Sequence, residues 1–197
     1  WPAAFLELDY GASDILGVGL RVGYLYATPH GDFQTASGVL VELPTRFQLM
    51  EREALELVLD LVPGVSFGLD RDFTLINEEI VGSEVQVFAT RLEVGATLSW
   101  RLQSRLELVF GLTLPSTLLL VMTERPYEDT WELSIPFAFR VGAVFRALDW
   151  LSAFAVVDVG PALTVRPTSW TSDGHDREVS AGFYLRAVAG VTFAPWH

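Results

Sequence analysis

Apolar side chains recur at every second position over most of this 197-residue chain. Successive side chains of a β-strand point to opposite faces of its sheet, so a period of two gives one apolar face and one polar face. The pattern predicts eight strands, and many of them contain the roughly 9 to 11 residues that a tilted strand needs to cross a bilayer. These segments are 16–26, 39–49, 55–69, 88–100, 106–114, 133–146, 151–160 and 182–193.

The distribution of charge excludes transmembrane helices. A spanning helix needs about 18 or more mostly apolar residues in succession. The longest run without a charged residue, 108–123, has 16 residues and contains Pro115. No basic segment followed by an apolar one begins the sequence, so we expect a mature or trimmed chain starting at Trp1.

The polar face of the predicted strands has the composition of a crowded interior. It mixes single charged residues with many glycines, whereas the opposite face is almost uniformly Leu, Val, Phe and Ala. A soluble sandwich would present more charges and fewer glycines to water. Lipid contact accounts for the apolar face, and an open sheet edge in hydrocarbon would leave backbone groups unsatisfied. We therefore predict an all-β fold, a transmembrane antiparallel up-and-down β-barrel of eight strands, or alternatively ten.

Short and long connections alternate along the chain. The short ones lie near residues 11–14, 50–53, 101–105 and 147–150, and the long ones near 29–37, 70–84, 115–130 and 166–178. Outer-membrane barrels of bacteria place short turns in the periplasm and long loops outside. Aromatic residues gather at both strand ends, as two bilayer interfaces favour. The predicted girdles are Tyr24, Tyr26, Phe67, Phe88 and Trp131 on the long-loop side, and Trp100, Phe145, Trp150, Phe193 and Trp196 on the short-turn side.

The chain resembles the small outer-membrane β-barrel proteins of Gram-negative bacteria over essentially its whole length. The resemblance rests on the alternation, on the connection lengths and on a final amphipathic strand, 184–193, that ends in Phe193. That family usually stops at the terminal aromatic residue, whereas residues 194–197 follow it here. The resemblance implies an integral outer-membrane location and contact with the lipid bilayer and lipopolysaccharide. Contact with other envelope proteins in a larger assembly belongs to the docking hypothesis given below.

A ninth, shorter alternation of Leu6, Leu8 and Tyr10 precedes the eight segments. Because single-chain bacterial barrels have even strand numbers, we interpret it as an extra segment outside or inside an eight-stranded wall, or as part of a ten-stranded wall. One very long first strand is a third interpretation, since its register is in phase with 16–26. We expect one domain over 1–197, with an N-terminal segment or extra strand at 1–14, the barrel wall at 15–193 and a short tail at 194–197.

Charged residues at inward positions predict a network inside the barrel. Its members are Arg21, Glu42, Arg46, Glu56, Asp60, Arg91, Glu93, Glu107, Arg140, Arg146, Asp158 and Arg186. Glu7, Asp9 and Glu132 also fall at inward positions. About eight strands enclose just enough space for side chains, so we expect a plug of salt bridges. The alternative is a narrow pore with a cation-preferring wall.

Residue types exclude several kinds of chemistry. The chain has no cysteine and all 13 basic residues are arginine, which excludes disulfides, thiolate zinc sites, cysteine nucleophiles and lysine Schiff bases. A net charge of -12 argues against a nucleic-acid partner. The residues considered for a lipid-modifying or proteolytic site are His30, Asp32, Ser169, Ser172, Asp173, His175, Asp176 and His197. Their spacing matches no hydrolase pattern, so we predict no catalytic residues.

Two acidic stretches predict at most weak association of divalent cations through carboxylate oxygens. One contains Asp70, Asp72, Glu78, Glu79 and Glu84, and the other Asp173, His175, Asp176 and Glu178. Neither has the spacing of a calcium-binding loop, so no metal site or cofactor is predicted.

These observations favour a structural or docking subunit of the outer membrane, in an envelope-spanning complex, with a lumen filled by side chains. The alternative is a small channel for cations or a hydrophobic solute. A lipid-modifying enzyme or protease is a weaker hypothesis, because it depends on a loop Ser/His/Asp site without a recognisable pattern. A soluble lipocalin-like barrel is the rival fold, and it requires the apolar face to point inward.

Overall fold

The chain folds into one antiparallel β-sheet in a computed structural model that describes residues 3–26, 33–76, 79–123, 130–148, 150–167 and 177–193. The prediction of an all-β antiparallel up-and-down arrangement is confirmed. Among the described residues, no helix is long and apolar enough to cross a membrane. The eleven strands are β1 (Ala3–Ser13), β2 (Leu16–Tyr26), β3 (Phe33–Glu42), β4 (Thr45–Arg52), β5 (Leu55–Ile76), β6 (Glu79–Gln103), β7 (Leu106–Thr123), β8 (Thr130–Pro136), β9 (Ala138–Leu148), β10 (Leu151–Pro167) and β11 (Arg177–Phe193).

Four of the eleven strands are halves of two longer, broken strands. β2 and β5 each pair with both β3 and β4, and β7 and β10 each pair with both β8 and β9. The breaks fall beside Pro44 and Pro136, because proline has no amide hydrogen to donate to the ladder. Pairing continues across each break: the Leu43 N–H donates to the Pro63 carbonyl and the Phe137 N–H to the Pro161 carbonyl, both at 2.9 Å.

The predicted strand number of eight, or ten, is wrong. The described residues form eleven strands, and when each broken strand is counted once they make nine passes across the sheet. The alternation hid the breaks because side chains keep their faces across them: Val41 and Leu43 precede Phe47 on one face of the sheet, with Pro44 between them. Because the apolar alternation continues unchanged across the proline, it does not reveal the break.

The N-terminal alternation is a strand of the sheet. β1 pairs with β2 from Ala3 opposite Leu25 to Ser13 opposite Leu16. A turn of two residues, 14–15, reverses the chain, so the interpretation of 1–26 as one very long strand is wrong. The remaining short connections join β4 to β5, β6 to β7 and β9 to β10, and each also contains two residues.

The predicted long connections are shorter than expected, because the strands continue into them. Most of the predicted 70–84 loop belongs to β5 and β6, which pair out to Ile76 opposite Glu79. β7 likewise extends to Thr123. Apolar alternation marks only the part of a strand with an apolar face, whereas backbone pairing extends into polar sequence as well. The strands are therefore longer than their amphipathic segments.

The two faces of the sheet differ in composition and in exposure. The inner face carries the charged residues and glycines and contains the buried positions, including Leu40, Glu42, Thr113, Ala138 and Asp158. The outer face carries the large apolar side chains, which are largely exposed along every strand whose side chains are described, as at Leu6, Val22, Val65, Leu92, Phe110, Phe139, Val157 and Leu185. This is the reverse of the order in a water-soluble protein with a hydrophobic core.

Substitution of Gly160 tests the packing at the break beside Pro136. A Cβ atom at Gly160 would collide with the Phe137 carbonyl oxygen and the Ala138 Cα, which are backbone atoms of the neighbouring strand. At Gly182 the same addition meets nothing within 4 Å. We expect Gly160→Ala to lower the free energy of unfolding by about 1 to 3 kcal/mol, since the backbone must shift, and Gly182→Ala to change it by less than about 0.5 kcal/mol. Urea unfolding followed by tryptophan fluorescence measures both, and equal midpoints would contradict this packing.

Candidate functional site

Four charged side chains from four strands meet on the inner face and form what we name the β6–β11 cluster: Glu93, Arg140, Asp158 and Arg186. Arg140 donates from Nη2 to Glu93 Oε1 at 2.7 Å and from Nε to Asp158 Oδ1 at 2.8 Å. Arg186 donates from Nη1 to Glu93 Oε2 at 2.7 Å and from Nε to Asp158 Oδ2 at 2.8 Å. Each carboxylate therefore accepts from two guanidiniums, and each guanidinium binds two carboxylates.

This cluster requires a strongly curved sheet. Glu93 is on β6 and Arg186 on β11, and β7, the broken strand β8–β9 and β10 lie between them. Four strand spacings of about 4.8 Å separate the two positions along a flat sheet, or about 19 Å. A contact of 2.7 Å between their side chains is possible only if the inner face is concave. The interior of the curve is thus narrow enough for side chains to bridge it.

Burial makes the pairing inside this cluster obligatory. Asp158 is 1% exposed, and the side chains of Glu93 and Arg140 are mostly buried. An ionised group in a poorly solvated interior is strongly unfavourable unless it is paired and hydrogen-bonded. Two carboxylates with two guanidiniums satisfy this condition, and the planar donors of arginine suit such bridging better than lysine would.

A second group, the β1–β6 cluster, continues along the inner face: Glu7, Arg21, Glu42 and Arg91. Arg21 bridges Glu7 of β1 and Glu42 of β3, with N···O distances of 2.8 Å to each. Arg91 of β6 lies 3.2 Å from the other oxygen of Glu42. Glu42 is 6% exposed, so its two arginine partners replace the water that it has lost. Arg91 is two residues from Glu93, and the two clusters are therefore adjacent on β6.

Arg46 of β4 joins the inner face to the edge strand β1. Its guanidinium lies 3.3 Å from Glu7, 3.6 Å from Asp9 and 3.5 Å from Asp60. The Thr97 hydroxyl donates to Asp60 at 3.0 Å. Arg46 and Asp9 are both about half-exposed, so solvent screens this part of the network more than it screens the β6–β11 cluster.

The short-turn end of the inner face has a looser charged arrangement. Arg146 of β9 lies 3.3 Å from Glu107 of β7. Glu56 lines a shallow groove together with Glu107, Ser99 and Arg101. This end is open to solvent, in contrast to the buried pairs at the middle of the strands.

The predicted network residues lie on the inner face, and eleven of the twelve form ion pairs. They belong to the two adjacent clusters, to the Arg46 link or to the pair at the turn end: Arg21, Glu42, Arg46, Asp60, Arg91, Glu93, Glu107, Arg140, Arg146, Asp158 and Arg186. Glu56 lies near the turn-end pair without a place in either cluster. Glu7 and Asp9, which the alternation also predicts at inward positions, bind arginines of this network.

The predicted aromatic girdles are distributed along the outer face. Cross-strand pairing places Tyr24, Phe67, Phe88 and Trp131 on one continuous row, with Val39 and Leu120 between them. At the short-turn end, the rings of Trp150 and Phe193 are 5.3 Å apart in an edge-to-face arrangement. Trp100 and Phe145 are exposed on the same side, on β6 and β9. The Tyr26 side chain and Trp196 lie outside the described part of the structure.

The eight residues considered for catalysis all lie outside the described residues, and so does Glu78. The eight are His30, Asp32, Ser169, Ser172, Asp173, His175, Asp176 and His197. Of Asp70, Asp72, Glu79, Glu84 and Glu178 only the backbone is described, and it belongs to β5, β6 and β11. Within the described ranges no three His, Asp or Glu side chains are grouped so that they could hold a metal ion. The chain matches no protein-family model, no curated protein and no solved structure.

Removing Arg186 tests whether the β6–β11 cluster holds the sheet together. Arg186→Met leaves Glu93 and Asp158 with a single shared guanidinium, and we expect it to lower the free energy of unfolding by about 3 kcal/mol or more. Asp9→Asn removes a half-exposed carboxylate 3.6 Å from its partner, and we expect a loss below about 1 kcal/mol. Equal losses in chemical unfolding would show that the buried cluster has no special role.

Proposed function

We propose that this chain is an integral outer-membrane β-barrel that acts as a structural or docking subunit of the bacterial envelope. The observation that carries the proposal is the exposed apolar outer face combined with a charged, buried inner face. Water would not stabilise such a surface, whereas the hydrocarbon core of a bilayer would. The rival soluble lipocalin-like barrel needs apolar side chains inside, and the described inner face is charged and glycine-rich instead.

Closure into a barrel is the second part of the proposal. The concave inner face and the contacts that cross it support a narrow, rolled sheet. About eight strands enclose only enough space for side chains, and nine passes are close to that number. In lipid, closure is also required, because every backbone N–H and C=O needs a partner.

The filled interior favours a structural or docking role over conduction. Glu93, Arg140, Asp158 and Arg186 bridge the inner face at its buried middle, where a pore would need its passage. A small cation-preferring channel is the second candidate, favoured by the half-exposed Asp9 and Arg46 and the open turn end. Contact with lipopolysaccharide, an envelope-spanning assembly and weak divalent-cation association stay part of the proposal.

A charge placed on the outer face separates a membrane protein from a soluble one. Leu114 is 40% exposed on β7, midway between the aromatic ends, and Leu102 is 42% exposed beside the β6–β7 turn. If Leu114 faces the bilayer midplane, Leu114→Arg costs about 2 to 4 kcal/mol, whereas Leu102→Arg near the interface costs about 0 to 1 kcal/mol. Urea unfolding from lipid vesicles gives both values. Two small and equal losses would show that both positions face water.

Planar-bilayer recording distinguishes the plug from the channel. We expect the purified protein to insert without open-channel steps, because the ion pairs occupy the interior. Insertion is checked in parallel by flotation with liposomes, so that a protein that fails to insert is not mistaken for a closed barrel. Reproducible cation-selective conductance steps would contradict the plugged interior and support the channel function.

A further inference from the structure

Each of the two terminal strands of the sheet, β1 and β11, has one edge that no described residue pairs with. Among the described residues, β1 pairs only with β2, and β11 pairs only with β10. The outer-face side chains of these strands are more exposed than those inside the sheet: Leu6 is 69% and Phe183 73% exposed, against 45% for Leu112 on β7. These edges present both free backbone groups and uncovered apolar side chains.

Strand direction restricts what fits between these edges. Nine antiparallel passes leave β1 and β11 running in the same direction. One further strand running the opposite way pairs antiparallel with both edges and brings the wall to ten passes, an even number as in bacterial single-chain barrels. In hydrocarbon, such pairing satisfies backbone groups that otherwise cost several kcal/mol each.

A second copy of the chain does not meet these conditions. Copies inserted in the same membrane orientation present edges that run in the same direction, so they offer only parallel pairing. Joining two sheets into one wide barrel would also flatten the curve. The contact between Glu93 and Arg186, four strand spacings apart along the sheet, requires the tight curve.

The inner-face residues beside the open edges of β1 and β11 indicate which charge a strand bound between these edges should carry. β1 presents Glu7 and Asp9, and Asp9 is about half-exposed. Arg186 of β11 is already bound by Glu93 and Asp158. On the paired side of β1, Arg21 lies opposite Glu7. A basic residue at the equivalent inward position of a strand in the gap would complement the acidic edge from its open side.

We propose that the gap between β1 and β11 binds one extended segment of another polypeptide, about 9 to 11 residues long and antiparallel to both edges. Its outward side chains are apolar, and an inward Arg or Lys faces Glu7 and Asp9. This rests on the proposed membrane location, because only in lipid are the open edges untenable. The edges are the docking surface that a structural subunit needs.

A peptide with the sequence of β2, residues 16–26, is the probe, because it already pairs antiparallel with β1 and carries the inward Arg21. The protein is reconstituted in vesicles with an acceptor dye on Leu8→Cys, which the cysteine-free chain makes unique. We expect saturable energy transfer from donor-labelled peptide, one peptide per protein, and about tenfold weaker binding of the peptide with Arg21→Glu. Asp9→Asn in the protein should narrow that difference. Absence of saturable binding, or equal affinity of the two peptides, overturns the proposal.

Paired cysteines test direct closure. Leu8→Cys is combined in turn with Phe183→Cys, Leu185→Cys, Ala187→Cys or Ala189→Cys on the outer face of β11. Direct β1–β11 pairing brings one of these to about 5 Å and allows a disulfide, whereas a gap of one strand leaves about 10 Å. We expect no disulfide in this set and a disulfide in the control Leu8→Cys with Leu20→Cys, which are paired residues. A β1–β11 disulfide, or an intermolecular disulfide of Leu8→Cys alone, overturns the proposal.

A result that contradicts the docking strand can be distinguished from one that contradicts the membrane location. All these variants are first floated with liposomes and tested for protection from protease. A protein that does not insert contradicts the proposed function itself. A protein that inserts and closes its own edges contradicts only the docking strand.

Discussion

The fold depends on a mutual neutralisation of charge inside a curved sheet. Glu93 and Asp158 are acceptable in a buried interior only because Arg140 and Arg186 bind both of them. Those arginines lie on other strands, so the sheet must curve to bring them together. Because the charged face is the concave one, the apolar face lies on the convex outside of the sheet and is exposed. The charged interior and the apolar exterior are therefore two consequences of one arrangement.

Glycine and arginine have complementary parts in this interior. Long arginine side chains extend across the concave face, and they need space that neighbouring residues do not fill. Gly64 lies against the Glu42 side chain, and a Cβ there would come within 2.6 Å of the Glu42 Cγ. Gly19 is similarly close to Asp9. The glycine-rich polar face thus lets paired charges pack at close quarters in the interior of the curve.

Alternation alone was sufficient to assign most residues to a face. It placed Arg140 and Asp158 inward because a period of two follows directly from strand geometry. It could not pair Glu93 with Arg186, which are 93 residues apart in sequence and meet only through curvature. It also missed the breaks beside Pro44 and Pro136, since outer-face residues stay in phase across them. It placed the end of β5 too early and the start of β6 too late, because the paired strands continue into more polar sequence.

In the proposed barrel, the outer face contacts lipid along the middle of the strands. Single spin labels at Phe110→Cys, Leu112→Cys and Leu114→Cys on β7, with Leu102→Cys at the turn end, test it directly, because the chain has no native cysteine. In vesicles, collision with dissolved oxygen should be high and collision with a water-soluble nickel chelate low at the three β7 positions, with the reverse at Leu102→Cys. Strong collision with the nickel chelate at the β7 positions would show that this face lies in water and would contradict the proposed membrane location.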